Sequence, residues 1–514
     1  MQPDSSFDAR PGDHNRTPQF LPPACFAASD AGYELLPFRY ARIPALPGQV
    51  LLTSPVGEYI FVSNEEFSAL RAHALPRDSA LYRSLRARQI VCDKGRGPFL
   101  QGLAAQQHTR KLFTSQDAAL HIFVVTLRCD HRCAYCQVSP RRPDEAGFDM
   151  SAATADAALD RVFESTAPTL TIEFQGGEPA LTFPRIRYVI EQAERRRQPG
   201  QGLRFVIATT LHLLTDDMLR FCRDYEVELS TSLDGPAHVH DANRIRPGRD
   251  SYDRTVRGIE RARRICGDRI AALATVTRHS LPYARDIIDS YVALGFRSIS
   301  LRPISPFGFA VRSARKLGYT TDEYLTFYRQ ALRYLVQLNT GGTQIEESYA
   351  TLLLTRILTP FPTAYVDLQS PAAAGTGVLV YNYDGGVYVS DEGRMLAAMG
   401  NDCFRMGSVH ESMETLRRSP AMDIVRAAGI AEVLPGCSTC AFVPYCGADP
   451  VFHMATQNDP EGHRPTSEFC RRHTGLFRIF FEELARKDPA TMRVFLSWLA
   501  RRPASDIVHP GYVA

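Results

Sequence analysis

The chain has no run of about 18 apolar residues, so no segment is built to cross a membrane as a helix. It has no strong charge of either sign. Its 59 Lys and Arg against 56 Asp and Glu leave +3 over 514 residues, too little to argue in bulk for a nucleic-acid or membrane partner. No basic stretch interleaved with aromatics is present, which removes the usual signature of nucleic-acid recognition. The opening residues, MQPDSSFDARPGDHNRTPQFLPP, contain no apolar core of the secretory kind. These absences predict a cytoplasmic chain whose thiols stay reduced. An internal repeat and a low-complexity tract are missing too. What remains is an ordinary globular composition, 44% hydrophobic and 22% charged, with room for about two to four domains.

Against that background the cysteines stand out. Of the 12, seven form two clusters, Cys129/Cys133/Cys136 and Cys437/Cys440/Cys446/Cys470. The rest, Cys25, Cys92, Cys222, Cys266 and Cys403, are scattered and read as small buried apolar side chains. The stretch TLRCDHRCAYCQ, residues 126–137, places three thiols within eight residues. A closed zinc site wants four ligands and a disulfide an even number. Three thiolates on one short loop can instead hold three irons of a [4Fe–4S] cubane, leaving the fourth iron open to another ligand.

The order of elements gives these residues a setting. Residues 1–32 read as a polar, mobile tail. Residues 33–100 form a small module, with β runs at Val50-Leu51-Leu52 and Tyr59-Ile60-Phe61-Val62, then a helix opened by the capping box Ser63-Asn64-Glu65-Glu66 and a second helix over 78–88. The polar stretch 101–117 reads as a linker. From 119 to 310, six strand-like runs (HIFVVTL, TLTIEF, LRFVIATT, VELSTSL, AALATVT, SISLRPI) alternate with amphipathic helices. That pattern predicts an α/β fold, a partial (β/α)6 TIM-like barrel whose chemistry sits at the C-terminal strand ends. The three-cysteine loop follows the first of these strands. Residues 311–372 read as a helical connection, 373–480 as a Cys-rich domain with short β runs, and 481–514 as a C-terminal helical segment.

The spacing C-x3-C-x2-C with Tyr135 before the last Cys resembles the radical S-adenosylmethionine (SAM) superfamily, in which SAM chelates the open iron. The resemblance extends to a Gly-Gly-Glu-Pro turn after the second strand, here Gln175-Gly176-Gly177-Glu178-Pro179. It implies that Gly176 and Gly177 let the backbone approach SAM and that Glu178 accepts from its ammonium. By the same similarity Ser232 and Arg244 would contact the ribose and carboxylate region, and the backbone of Tyr135 would read the adenine. Val276, Thr277 and Arg302 lie at later strand ends facing the same site.

The C-terminal cysteines resemble part of a SPASM domain, which holds two auxiliary clusters. Cys437-x2-Cys440-x5-Cys446 and Cys470 match one ligand set. The other set is missing: Ser390 and Pro450 stand where it has cysteines, and none lies between Cys266 and Cys403. One auxiliary [4Fe–4S] cluster is therefore expected, with four-thiolate zinc as the alternative. Asp391 follows Ser390, at the position where the resembling sulfatase maturases carry an Asp that takes the substrate proton, and a buried carboxylate suits that role.

Together these features imply a radical SAM oxidoreductase that modifies a ribosomally made precursor peptide. The 33–100 module resembles the winged-helix-like peptide-recognition element of such maturases. The resemblance is nearest to the His-Xaa-Ser system maturase of B type. Its implied partners are the peptide, an electron donor such as flavodoxin or ferredoxin, and a second radical SAM enzyme. A maturase of a folded protein such as a sulfatase is one alternative, and a non-catalytic iron–sulfur or zinc scaffold that only binds peptide is another.

Overall fold

The computed structural model describes residues 32–93, 95–363 and 368–507. The tail expected over 1–32 lies almost wholly outside them, as does Cys25.

The centre is a nine-stranded sheet. Strands β6 (Leu120–Thr126), β7 (Thr169–Gly176), β8 (Gly202–Ala208), β9 (Glu228–Ser232), β10 (Ile270–Val276) and β12 (Leu301–Pro303) lie side by side in chain order, each parallel to the next. Helices α4 (Ala152–Val162), α5 (Phe183–Arg196), α6 (Asp216–Asp224), α7 (Ala237–Asn243), α8 (Ser251–Cys266) and α9 (Ala284–Ala293) form the returns. The alternation in β7 shows why the sequence folds this way. Leu170, Ile172 and Phe174 are buried under the helices, while Thr171, Glu173 and Gln175 face the barrel interior. This is the open α/β barrel that the periodicity predicts.

Three features differ from the sequence reading. The sixth run is not one strand: Ser298–Ile299 (β11) pairs with Glu346–Glu347 (β13), and only β12 joins the barrel. Residues expected to be a linker form α3 (Gly97–Arg110) and a following 3-10 turn. Leu103 is its one buried residue, packed against Leu36, Val56 and Cys92. A helix with so narrow an apolar contact leaves little periodic signal, although Gln, Ala and Leu favour it. Finally, the β runs after residue 376 continue the barrel sheet. Strand β14 (Val378–Tyr381) adds parallel to β6, and β15 (Gly386–Tyr388) and β16 (Arg405–Ser408) extend it antiparallel. Four consecutive buried residues in β14 explain the placement, since a strand buried on both faces belongs inside a sheet.

The N-terminal module has an antiparallel sheet, β2 (Arg39–Ala41), β3 (Gln49–Thr53) and β4 (Tyr59–Ser63), and a separate pair of β1 (Tyr33–Leu35) with β5 (Val91–Asp93). Helices α1 (Asn64–Arg71) and α2 (Ala80–Ala87) close it, and Ser63 and Glu66 form the full capping box. Its own core includes Tyr33, Val50, Leu52, Phe67 and Leu85. The module is fastened to the C-terminal cysteine region. Thr53 Oγ1 donates to the Ala441 carbonyl at 2.8 Å, Arg39 Nε to that of Ser438 at 2.7 Å, and Tyr445 Oη to that of Gly57 at 3.0 Å. No helix among the described residues is long and apolar enough to cross a membrane.

Candidate functional site

The three-cysteine loop leaves the C-terminal end of β6 and is held from several sides. Arg132 N–H donates to the Ile245 carbonyl at 2.7 Å and Ala134 N–H to that of Asn243 at 3.1 Å, so the end of α7 carries one flank. Phe309 N–H donates to the Cys136 carbonyl at 2.7 Å. The thiols of Cys129, Cys133 and Cys136 are each pushed up by burial, Cys133 to about 12, with Cys133 adding to the rise at Cys129 and Cys136 to that at Cys133. Buried thiols this reluctant to ionise become thiolates when a cation binds them. Their grouping therefore fits a metal cluster held by three sulfurs.

The Gly-Gly-Glu-Pro turn lies against that loop. Gly177 N–H donates to the Thr126 carbonyl and Glu178 N–H to that of Arg128, both at 2.8 Å. Space decides the residue type: a Cβ on Gly176, whose φ is +137°, would run into the Thr126 carbonyl, and one on Gly177 into that of Arg128. Gly177→Ala is expected to cost about 3 kcal/mol, since the obstructing atoms are backbone and cannot swing away. A urea titration checks it, and a midpoint within error of wild type would contradict the steric account.

Glu178 has its carboxylate bonded within the protein. It is fully buried, and its carboxylate accepts from Thr209 Oγ1 (2.5 Å), Thr210 N–H (2.8 Å), Thr210 Oγ1 (2.6 Å) and Ala180 N–H (3.1 Å). Four donors engage a carboxylate with roughly four lone-pair sites. The side chain anchors the turn.

Arg244 meets the loop at the Tyr135 side chain. Arg244 is buried and donates from Nη1 to Tyr135 Oη at 2.8 Å, and that hydroxyl donates to Asp234 Oδ1 at 3.2 Å. Burial raises the Asp234 pKa and Arg244 opposes it; Arg244 likewise opposes the rise at Cys133. Ser232 sits on the same rim, at the end of β9.

The residues between the cysteines carry a network the sequence did not disclose. Asp130 Oδ1 accepts from His131 Nδ1 at 2.9 Å, and Oδ2 lies 2.9 Å from His212 Nε2 and 3.2 Å from Arg246 Nε. Burial would raise the Asp130 pKa, but the bonds from His131 and His212 outweigh it and hold the carboxyl far below its usual range. The chain continues both ways. His212 Nδ1 is 2.8 Å from Thr210 Oγ1, which reaches Glu178, and His131 Nε2 is 3.0 Å from Ser251 Oγ. Cys129, Asp130 and His131 cluster closely enough to suggest a metal site, but Asp130 and His131 are already committed to each other and to Ser251. Only the sulfur is free to ligate. Asp130 thus ties the loop to β8 and α8, and Asp130→Asn places an amide donor among donors. It is expected to cost about 2–3 kcal/mol and to lower the iron retained after reconstitution, both measured on the same preparation. Unchanged iron content would remove Asp130 from the site.

Across the barrel, Asp391 opens the helix Asp391–Ala397, capped by Ser390 Oγ accepting from Gly393 N–H at 3.1 Å. Asp391 Oδ1 is 3.5 Å from Arg394 Nε. Burial raises the Asp391 pKa, opposed by Arg394 and Arg302. Glu173 on β7, which accepts from Gln175 Nε2 at 2.8 Å, is raised by burial too, with Asp391 adding to the rise and Arg302 opposing. Two raised carboxyls between two arginines line the interior, and Arg394 also acts on Cys136. Sequence reasoning named Asp391 and Arg302 but missed Glu173 and Arg394; an acidic residue on the inward face of a strand was the available signal.

The thiols of Cys437, Cys440, Cys446 and Cys470 also gather. Burial raises Cys437, Cys440 (to about 11) and Cys446, and the sulfurs raise one another. Arg464 and Arg39 oppose the rise at Cys437 and Cys440 respectively. The positions that lack cysteine have structural duties: Ser390 caps one helix, and Pro450 starts another behind its cap Asp449.

Residues 123–288 match the Radical SAM superfamily. The chain is 29% identical over 208 residues to an uncharacterised protein of Methanothermobacter thermautotrophicus, covering 40% of this chain and 75% of that one. It is 30% identical over 205 residues to the AdoMet-dependent heme synthase of Oleidesulfovibrio alaskensis, covering 39% of this chain and 49% of that one. The chain thus spans about half of the heme synthase's length. Among solved structures it resembles anSMEcpe with bound AdoMet, at TM-score 0.60 and 17% identity over 71% of this chain and 98% of that one. It also resembles SuiB of Streptococcus suis bound to precursor peptide SuiA, at TM-score 0.51 and 14% identity over 84% and 98%. These two likenesses are of fold.

Proposed function

We propose that this radical SAM enzyme matures a ribosomally synthesised peptide by oxidative crosslinking or a related C–H functionalisation. The observation that carries the reading is the meeting of the three-thiol loop and the Gly176–Gly177 backbone on one rim, above an interior lined by Glu173 and Asp391. In this reading Cys129, Cys133 and Cys136 hold a [4Fe–4S] cluster, and the rim from Gly176 to Ser232 and Arg244 receives SAM. When bound, these groups supply a 5′-deoxyadenosyl radical that takes hydrogen from a substrate carbon. The residues of the chain hold the ligand in register and exclude water, and Asp391 accepts the substrate proton.

Cys437, Cys440, Cys446 and Cys470 then hold one auxiliary [4Fe–4S] cluster. Its place beside Arg39 favours a module that presents peptide close to it. Among the described residues no strand pairs with the outer edge of β2 or of β4, so an extended leader can pair there as an added strand, and the module serves as the winged-helix-like recognition element, with residues 373–480 as a SPASM-like domain. The peptide-bound state of SuiB supports this class, and anSMEcpe, solved with peptides such as Kp18Cys, supports it too. Within the class we favour the His-Xaa-Ser B type on the strings VGEYIFVSNEEF and YVSDEGRML, working with a one-electron donor and a second radical SAM enzyme. Anaerobic co-expression with neighbouring short reading frames, followed by peptide mass and fragmentation, tests the reading. A loss of about two mass units per modification, reflecting two-hydrogen oxidation, is expected. An unmodified peptide for every candidate, with no deuterium exchange, would move a folded-protein substrate ahead.

A further inference from the structure

The near-neutral charge of the whole chain hides a local field. On α8, Arg254, Arg257, Arg261 and Arg264 are spaced three, four and three apart, which puts them on one face of the helix. With His212, Gly258 and Glu260 they line an open cleft of about 410 Å³ on the outer, helical side of the barrel. Glu260 is the one carboxylate among the lining residues, against four guanidinium groups. Arg254 is paired with Asp250 at 2.6 Å, and Arg261 turns to the Leu211 and His212 carbonyls at 3.5 and 3.4 Å. Arg257 and Arg264 are exposed and have no acidic partner among the described residues.

The cleft ends on His212, whose side chain is only 3% exposed and whose Nε2 lies 2.9 Å from Asp130 Oδ2. Asp130 adjoins Cys129 in the chain, and the next residue, His131, donates its N–H to Cys129 Sγ at 3.4 Å. The basic surface is thus separated from a cluster-binding thiol by two packed side chains, yet it opens away from the barrel interior where substrate is held.

We infer that this cleft docks a small, acidic, one-electron carrier protein, which presents carboxylates around its redox group. The inference rests on the radical SAM reading above, which requires one electron from outside per SAM cleaved. One electron leaves the carrier's reduced group and enters the bound cluster, and no atom changes hands. Charge complementarity gives such a partner its orientation and on-rate. Nucleic acid is disfavoured because the cleft is lined by no Phe, Tyr or Trp ring for a base to stack on, and its one imidazole, His212, is almost wholly covered.

The test uses the anaerobically reconstituted enzyme and its Arg257→Glu/Arg264→Glu double variant, with a flavodoxin in its hydroquinone form as probe. Wild type is expected to bind it with an affinity that falls steeply with salt, and the variant about tenfold more weakly with a shallower salt dependence. SAM cleavage driven by dithionite, which needs no docking, is expected to be equal in the two proteins. Equal flavodoxin affinity for both, or arginine-dependent binding of an oligonucleotide in its place, would overturn the inference. Failure of wild type to cleave SAM even with dithionite would overturn the radical SAM reading instead, and the binding titration still decides the docking.

Discussion

Cys133→Ala is expected to abolish SAM cleavage, by at least about a thousandfold, and to remove about four irons per chain. Cys133 is the central cysteine of its loop, nearly fully buried, with its backbone carbonyl accepting from Cys136 N–H at 3.1 Å. Two remaining thiols cannot hold a cubane that exposes one iron, and no neighbouring group can substitute. His131 is tied to Asp130 and Ser251, Asp130 to its histidines, and Tyr135 to Asp234. The four-thiol site is separate in sequence and built on other elements, so its metal should survive. Iron analysis with Mössbauer spectroscopy reads both effects together: the variant keeps about four irons if the C-terminal site holds a cluster, and none if that site is zinc. Full iron content with continued 5′-deoxyadenosine formation would sink the ligand assignment.

The barrel was legible because its code is local. Each strand-like run alternates with an amphipathic helix, and each glycine of the Gly176–Gly177 turn is demanded by one carbonyl beneath it. The three thiols were legible because ligand spacing sits within eight residues. What was hidden is what depends on distance or direction. The motif gave Glu178 its place, but not that its carboxylate turns inward to Thr209 and Thr210. Asp130 reads as an ordinary polar residue until folding brings His212 to it, 82 positions along the chain. Strand β14 looks like the start of a separate domain, and only its pairing with β6 makes it part of the barrel. The helix α3 was missed because one buried leucine makes no periodic stripe. Except for α3, the deciding partner lies outside any window a sequence pattern can scan.

Asp391→Asn is expected to separate the two halves of the reaction. SAM cleavage should stay within a few-fold of wild type, since Asp391 is remote in sequence from the three cysteines and the Gly176–Gly177 turn and ligates nothing. Formation of modified peptide should fall by about 10²–10⁴, the usual worth of a positioned general base. The pH profile carries the sign. Burial raises the Asp391 carboxyl, and Arg394 and Arg302 only partly offset it. A base works in its ionised form, so product formation should rise with pH through a value above the ordinary Asp pKa of about 3.9 and level off beyond it. Glu173 is the competitor, raised by burial and further by Asp391 itself. The two interact, so removing the Asp391 charge should lower the Glu173 pKa and shift any residual acid limb to lower pH. If Glu173 were the base, Glu173→Gln would cause the large loss and Asp391→Asn only that shift. The two variants, assayed for 5′-deoxyadenosine and for peptide product across pH, assign the proton to one carboxylate or the other. Product formation within about threefold of wild type in Asp391→Asn would rule that residue out as a general base.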